Sequence, residues 1–186
     1  MKADDFLKNY QKLQHGIMFD DLIDLEFATV GYSKIDKSPF WNFGLTNKIL
    51  IPTELKKVEE TLLSLDRKST IYFENGDSLK PLFWRLKDNG YQLEFEDCWQ
   101  FWDGNKIDET RFDLVKKVDS LELLNEFLNT FDACYQKDDP QNPYGELGEY
   151  LETAKELWQK HHQSNRLEYF IVYDGVGRTL CSSHSD

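Results

Sequence analysis

The side chains that could act as acids, bases or metal ligands form two short groups. Glu94, Glu96 and Asp97 make a carboxylate cluster, and His161 is followed directly by His162. Carboxylates act as acids or bases when their surroundings shift the pKa, and imidazole nitrogens bind zinc. Adjacent side chains on a helix point about 100° apart, so these two histidines cannot hold one ion together. We expect one of them to cap the C-terminal end of a helix, where positive charge is favoured.

The carboxylate cluster has both a structural and a catalytic interpretation. Alternation predicts a long strand over residues 91–102, with Glu94 and Glu96 on its polar face and Asp97 on its apolar face. We interpret Asp97 as a bulge residue or a hydrogen-bonded buried acid. A catalytic carboxylate with a shifted pKa is the alternative.

Other motifs that carry chemistry are weak in this sequence. Cys98, Cys134 and Cys181 lie far apart, which predicts reduced, partly buried thiols rather than disulfides or a zinc site. Gly175-Val-Gly177 has the spacing of a phosphate-binding turn, but no predicted helix follows it, so we interpret it as a hairpin turn. The nucleophile motif G-x-S-x-G is absent from the sequence. We therefore predict no catalytic residue, no metal ligand and no cofactor-binding residue in these 186 residues.

The net charge of the chain limits the classes of partner that it is expected to bind. The chain carries 34 acidic and 22 basic side chains, which gives a net charge of −12, and both halves are acidic. Binding to a nucleic-acid backbone or to anionic lipid needs clustered Lys and Arg, so neither partner is expected. The sequence also lacks the apolar runs of a signal peptide or a membrane span. A cytoplasmic protein is the resulting expectation.

Hydrophobic periodicity predicts the elements that must position these groups. Helices are predicted over residues 4–14, 53–65, 77–89, 120–135 and 145–163, and strands over residues 22–30, 69–74, 91–102, 111–118 and 167–173. Thr53 and Asp77 are the expected helix caps, Asp119 opens a capping box, and Gly90 ends its helix. Residues 178–186 are predicted to be half a strand and a polar tail.

These elements predict an α+β fold, in which a mixed, largely antiparallel sheet is flanked by helices. The turn at residues 103–106 is the expected boundary between two subdomains, residues 1–104 and residues 105–186. We expect the two subdomains to share one largely continuous sheet.

The order of elements in the second subdomain resembles a known family. Its segments include Phe112–Val118, then Asn142-Pro-Tyr-Gly145, and finally Tyr169-Phe-Ile-Val-Tyr-Asp-Gly175. They are similar to the opening of a GNAT superfamily N-acetyltransferase, which runs strand, helix, helix, strand, hairpin, strand. Asn75–Tyr91 resembles a later helix of the same family. The first subdomain therefore looks like a degenerate acetyltransferase lobe, and the whole chain like a partial GNAT-like fold.

The resemblance implies an acceptor side but no acetyl-CoA site. In the family the loop between the first two helices shapes the acceptor pocket, which here implies the substrate-side residues Tyr135, Asp138, Asp139, Tyr144 and Tyr150. A solvated loop with packed tyrosines is the alternative. The family's Arg/Gln-x-x-Gly-x-Gly/Ala loop, which binds the acetyl-CoA pyrophosphate, is absent, and Leu86 stands where members often carry an active Tyr. Acetyl-CoA is thus expected only for a full-length member, and a truncated or frame-shifted chain is one hypothesis.

Two functions follow from this pattern. The first is a GNAT-related acyltransferase part that accepts a cationic amine and cannot transfer acetyl groups as an isolated chain. The alternative is a non-catalytic interaction module that forms a homodimer, or captures a partner strand, at an open sheet edge.

Overall fold

The computed structural model describes residues 3–98, 112–138, 146–164, 166–173 and 179–184. The chain divides into Met1–Leu93, called unit 1 below, and Glu94–Asp186, called unit 2. The boundary expected at residues 103–106 lies outside the described residues. Within the described parts of the chain, no helix has the length and apolar character needed to cross a membrane.

The described elements confirm an α+β fold with mixed, largely antiparallel pairing. The helices are α1 (Ala3–Gln14), α2 (Pro52–Ser64), α3 (Lys80–Asp88), α4 (Leu121–Ala133) and α5 (Glu149–His161). Short 3-10 helices span Asp77–Leu79, Phe112–Leu114 and His162–Ser164. The strands are β1 (Asp21–Asp24), β2 (Thr29–Tyr32), β3 (Phe43–Leu45), β4 (Ile71–Tyr72), β5 (Val115–Lys117), β6 (Glu168–Tyr173) and β7 (Thr179–His184).

The strands described in unit 1 form one sheet in the order β1-β2-β3-β4, with β3 and β4 parallel and the other pairs antiparallel. The prediction of a single strand over residues 22–30 is wrong, because a tight turn divides this segment into the β1–β2 hairpin. Glu26 takes a left-handed φ of 64°, and its N–H donates to Asp24 Oδ1 at 2.9 Å. Asp commonly stabilises turns in this way, and here the turn overrides the alternating pattern.

One face of this sheet packs against α2. A Cβ added to Gly44 in β3 would lie 2.5 Å from Cγ1 of Val58, so the absence of a side chain permits the close approach of the helix. The core on this face is aliphatic and is formed by Ala28, Val30, Leu50, Leu55, Val58, Leu62, Leu82 and Leu86. Leu86, which stands where members of the resembled GNAT superfamily often carry an active Tyr, is therefore a core residue.

The ends of two helices in unit 1 differ in how well the sequence predicted them. α2 is capped at Ile51 rather than Thr53, because Pro52 occupies the first turn and Glu54 Oε2 accepts from the Ile51 N–H at 2.9 Å. Asp77 makes no capping bond and instead lies 2.6 Å from Lys80 Nζ. The stop at Gly90 is confirmed by its φ of 85°.

The strand predictions around this region are too long. Residues 91–98 are described without strand structure, and residues 99–102 lie outside the described residues. A strand was predicted over residues 69–74, and the observed strand, β4, spans Ile71–Tyr72. Residues 91–98 alternate in polarity, but none of the described strands pairs with them. Alternation alone is not enough, because the backbone N–H and C=O groups of a strand need a pairing partner.

Unit 2 follows the predicted order strand, helix, helix, strand, strand. Its described strands form an antiparallel sheet in the order β5-β6-β7. β7 spans six residues and is longer than the predicted half strand. Ser120 caps α4 instead of Asp119, since its Oγ accepts from the Leu123 N–H at 3.2 Å.

Two side-chain hydrogen bonds tie α5 to the backbone or side chains of neighbouring elements. Trp158 Nε1 donates to the Val118 carbonyl at 3.2 Å, and Tyr169 Oη donates to the Ala154 carbonyl at 3.2 Å. These bonds fix α5 against β6 and the end of β5. Across the described residues the strands form two separate sheets, one in each unit, so the expectation of one continuous sheet is wrong there.

Candidate functional site

Of the five substrate-side residues implied by the resemblance, the structure describes three. Tyr135 and Asp138 follow the C-terminal end of α4, and Tyr150 lies in the first turn of α5. Asp139 and Tyr144 lie outside the described residues. The site is therefore built here from the facing ends of α4 and α5.

A series of stacked rings leads from the sheet of unit 2 to this site. Phe127 lies parallel to the buried ring of Tyr169, with centroids 4.3 Å apart and planes 8° apart. The next ring on α4, Phe131, lies 5.9 Å from Phe127. Residues four apart on a helix share one face, so α4 presents its aromatic residues in a single row.

The outer end of this row brings two of the predicted residues together. Phe131 lies 5.1 Å from the ring of Tyr135 and 6.2 Å from the ring of Tyr150. Both tyrosines are half-buried, so each ring is anchored by packing and still reaches solvent. Hydrophobic periodicity predicted the helix that carries Phe131, but not the contact of Phe131 with Tyr150.

The charge around these rings is mostly negative. Asp138 is exposed, and so are other carboxylates near the same helix ends, namely Asp132, Glu146 and Glu149. Lys137 is the basic residue beside them in the described segments. Aromatic faces and carboxylates both attract a cation, and together they suit an ammonium group.

A second cluster in unit 2 was not predicted from the sequence. Tyr173 Oη in β6 donates to Glu126 Oε2 in α4 at 3.0 Å. Lys116 Nζ lies 5.0 Å from the centre of the Tyr173 ring. Burial and the bond to Glu126 raise the pKa of Tyr173. No spacing rule links residues so far apart in sequence, so no local pattern could have predicted this contact.

The two adjacent histidines have different surroundings. The ring of His162 stacks on Trp158 at 3.9 Å, and its Nδ1 lies 2.8 Å from the Trp158 carbonyl oxygen at the end of α5. This confirms that one histidine caps the helix. His161 is buried, and its Nε2 has no hydrogen-bond partner among the described residues. Burial, with the nearby charges of Lys160 and Arg166, lowers the pKa of His161.

The remaining sequence candidates do not assemble into a site in the described structure. Glu94 and Glu96 are exposed and Asp97 is half-buried, but because residues 91–98 form no strand, the argument from an apolar face no longer applies. Cys98 and Cys134 are exposed free thiols, which corrects the expectation of partial burial for these two residues. The described residues contain no group of three or more His, Cys, Asp or Glu side chains suited to a metal ion.

In unit 1 a buried arginine joins three segments. Nη2 of Arg67 donates to the Ser33 carbonyl at 2.8 Å, and its Nε donates to Asn42 Oδ1 at 3.1 Å. The guanidinium also donates to the Asp66 carbonyl and lies over the ring of Tyr32. Among the described residues its partners are carbonyl oxygens and an aromatic face, so this cation organises the backbone and forms no buried ion pair there.

A tyrosine network in unit 1 also has a structural explanation. Tyr91 Oη donates to Glu59 Oε1 at 2.8 Å and accepts from Ser69 Oγ at 2.6 Å. Burial and the bond to Glu59 raise the pKa of Tyr91. The network ties the segment after α3 to α2 and to the start of β4.

No protein-family model matches the chain, and no curated protein or solved structure matches it either.

Proposed function

We propose that the chain is the acceptor side of a GNAT-type acyltransferase, cytoplasmic, and unable to transfer an acetyl group as this isolated chain. The observation that supports the proposal is the order of unit 2, in which β5, α4, α5, β6 and β7 follow one another. The strands pair antiparallel in the order β5-β6-β7, which is the arrangement that the resemblance implies for the opening of that fold.

The acceptor in this proposal is a cationic amine. Tyr135 and Tyr150 flank Phe131, and Asp138, three residues after Tyr135 in the chain, adds an exposed carboxylate. An ammonium ion over an aromatic face is stabilised by about 0.5–2 kcal/mol, and a neighbouring carboxylate adds to this attraction. These contributions are small, so we expect weak binding that is sensitive to salt.

The inability to transfer acetyl groups has a separate basis. Acetyl-CoA is an anion whose phosphates need backbone N–H groups at a helix N-terminus or clustered cations. The sequence has no Arg/Gln-x-x-Gly-x-Gly/Ala segment, and its net charge is −12. Micromolar affinity corresponds to about −8 kcal/mol, and these residues offer little from which it could arise.

Calorimetric titrations with spermidine and with acetyl-CoA test the two parts of the proposal. We expect saturable spermidine binding that weakens several-fold in Asp138→Asn, because the variant removes the carboxylate beside the rings. Asp119→Asn removes the same charge from an exposed residue at the opposite end of α4 and should bind as the wild type does. Equal weakening in both variants would mean that only overall charge matters.

For acetyl-CoA we expect no binding tighter than about millimolar. Saturable micromolar binding would contradict the proposal that the isolated chain cannot act.

A non-catalytic interaction module is the second candidate, and β7 favours it. This six-residue strand is the last in the order β5-β6-β7 of the described sheet, and edge strands can recruit another strand. Such a module would form a homodimer or hold a partner strand. Light scattering over a range of concentrations tests it: a dimer supports edge pairing, and a monomer at high concentration contradicts it.

A further inference from the structure

The sequence contains two Asn-Gly pairs, Asn75-Gly76 before α3 and Asn89-Gly90 at its C-terminal end. Asparagine is a thermolabile residue, because the backbone nitrogen of the next residue can attack the carbonyl carbon of its side chain. Glycine in the next position favours this reaction, since it has no Cβ to shield the nitrogen or to restrict the backbone dihedral angles. Both pairs belong to unit 1 and have no part in the acceptor side proposed for unit 2.

The fold both requires the glycine of Asn89-Gly90 and holds the asparagine in place. Gly90 has a φ of 85°, the left-handed conformation that ends α3. Asn89 Nδ2 donates to the Arg85 carbonyl at 2.8 Å, and the Gly90 N–H donates to the Lys87 carbonyl at 3.0 Å. The side chain that would have to rotate and the nitrogen that would have to attack are thus both bonded to the last turn of the helix.

The conformation of Gly76, in contrast, does not require glycine. Its φ of −124° and ψ of 160° are extended backbone that any residue adopts. A Cβ added there would meet only Ser78 Oγ, at 4.0 Å, so a side chain has room. Gly76→Ala can therefore be made without strain, and it tests the reactivity of the pair separately from its conformation.

Asn75-Gly76 also lies in a segment that opens locally at little cost. Asn75 is exposed and lies between β4 and the 3-10 helix Asp77–Leu79. The Gly76 N–H donates to the Glu74 carbonyl at 2.9 Å, a bond that closes a three-residue turn. Rotation of one peptide group breaks this bond without disturbing β4 or α3, whereas reaction at Asn89 requires the end of α3 to open.

We propose that Asn75 is a site of spontaneous deamidation, which converts the folded chain into a second charge form. The Gly76 nitrogen gives up its proton to base and bonds to Asn75 Cγ, and the Cγ–Nδ2 bond breaks as ammonia leaves. Water then opens the resulting succinimide at either carbonyl, which leaves aspartate or isoaspartate at position 75. The reaction transfers no electrons, and the solvent supplies the base and the water.

The product gains a negative charge between two exposed acids, Glu74 and Asp77. Isoaspartate also lengthens the backbone by a single carbon atom. Exposed segments outside helices and strands tolerate such insertions, so we expect the product to stay folded with a Tm close to that of the unmodified chain.

The test incubates the intact chain near neutral pH and follows both Asn-Gly pairs by peptide mapping with mass spectrometry. Synthetic peptides of residues 70–80 and 84–94 give the rate of each pair without the fold. We expect Asn75 to react in the chain at close to its peptide rate, and Asn89 to react about tenfold more slowly than in its own peptide. Equal slowing of both pairs by the fold, or stronger slowing at Asn75, would overturn the proposal.

Two variants test the chemistry at Asn75. Gly76→Ala should slow the reaction about tenfold, because its methyl group hinders the attacking nitrogen, and should not lower the Tm. Asn75→Gln should remove the second charge form from native ion-exchange chromatography of the incubated protein. The wild-type rate should rise with pH, since the attacking nitrogen must lose its proton. An unchanged rate in Gly76→Ala, or a second charge form that appears in Asn75→Gln as fast as in the wild type, would contradict the assignment.

Discussion

The α2 face of the unit 1 sheet and the helix-covered face of the unit 2 sheet are packed with different side chains. The α2 face of unit 1 buries a compact aliphatic core and places the buried cation of Arg67 among backbone carbonyls. Unit 2 relies on stacked rings, from Tyr169 through Phe127 to Phe131, and on side-chain bonds from Trp158 and Tyr169 to the backbone. Aromatic rows extend from a core to the surface more easily than aliphatic ones, since an outer tyrosine keeps a polar group in water.

This difference bears on the kind of ligand that unit 2 suits. In unit 2 the row of rings ends at Tyr135 and Tyr150 beside exposed carboxylates, a setting that favours a cation. In unit 1 the buried guanidinium of Arg67 donates to the Ser33 carbonyl and to Asn42 Oδ1, so this charge is satisfied inside the fold.

The largest effect that tests this comparison is expected from Phe127→Ala. Phe127 is 2% exposed and stacks on Tyr169, so its removal leaves a cavity in the ring row and should cost about 4 kcal/mol. Segment-resolved hydrogen exchange should show the loss of protection in α4 and β6. Leu121→Ala, at a residue 58% exposed on the same helix, should cost less than about 0.5 kcal/mol. Similar losses in both variants would show that the ring row is not the core of unit 2.

A smaller loss is expected from Arg67→Met in unit 1. The variant keeps the apolar stem but leaves the Ser33 carbonyl and Asn42 Oδ1 without the donor that they now share. We expect the free energy of unfolding to fall by about 3 kcal/mol, measured by urea denaturation. Lys57→Met, an exposed residue of α2, is the matched control and should change stability little. A loss no greater than in this control would mean that the arginine does not organise unit 1.

Much of the helical structure was predictable from sequence, whereas several strands were not. The helices predicted over residues 120–135 and 145–163 and the stop at Gly90 depend on local spacing, and the structure confirms them, with the helix ends moved by a few residues. The β1–β2 turn divided an alternating segment because Asp24 stabilises a local turn, and residues 91–98 alternate without pairing in the described structure. Within the site, the resemblance implied Tyr135 and Tyr150, but their shared contact with Phe131 depends on tertiary packing that no local pattern encodes.

The smallest effect concerns pH and sharpens the contrast in buried polar groups. Because the pKa of His161 is lowered in the fold, the unfolded chain takes up a proton more readily, at about pH 6.5. Its contribution to stability is therefore present above that pH and is lost as the pH falls. Between about pH 7.5 and about pH 5.5, the urea midpoint should fall less in His161→Met than in the wild type.

The control for this pH effect is His15→Gln, a change at an exposed histidine of unit 1 that should follow the wild-type profile. If His161→Met shows the same acid dependence as the wild type, the buried imidazole does not govern it.

The central claim is that the end of the ring row in unit 2 receives a cationic amine. Hydrogen exchange of the intact chain, with and without saturating spermidine at constant ionic strength, tests it most directly. We predict slower exchange in residues 131–138 and 149–153, which include Tyr135 and Tyr150, and unchanged exchange in α2 and α3 of unit 1. Unchanged exchange in these unit 2 segments at saturating amine, or protection confined to unit 1, would contradict the claim.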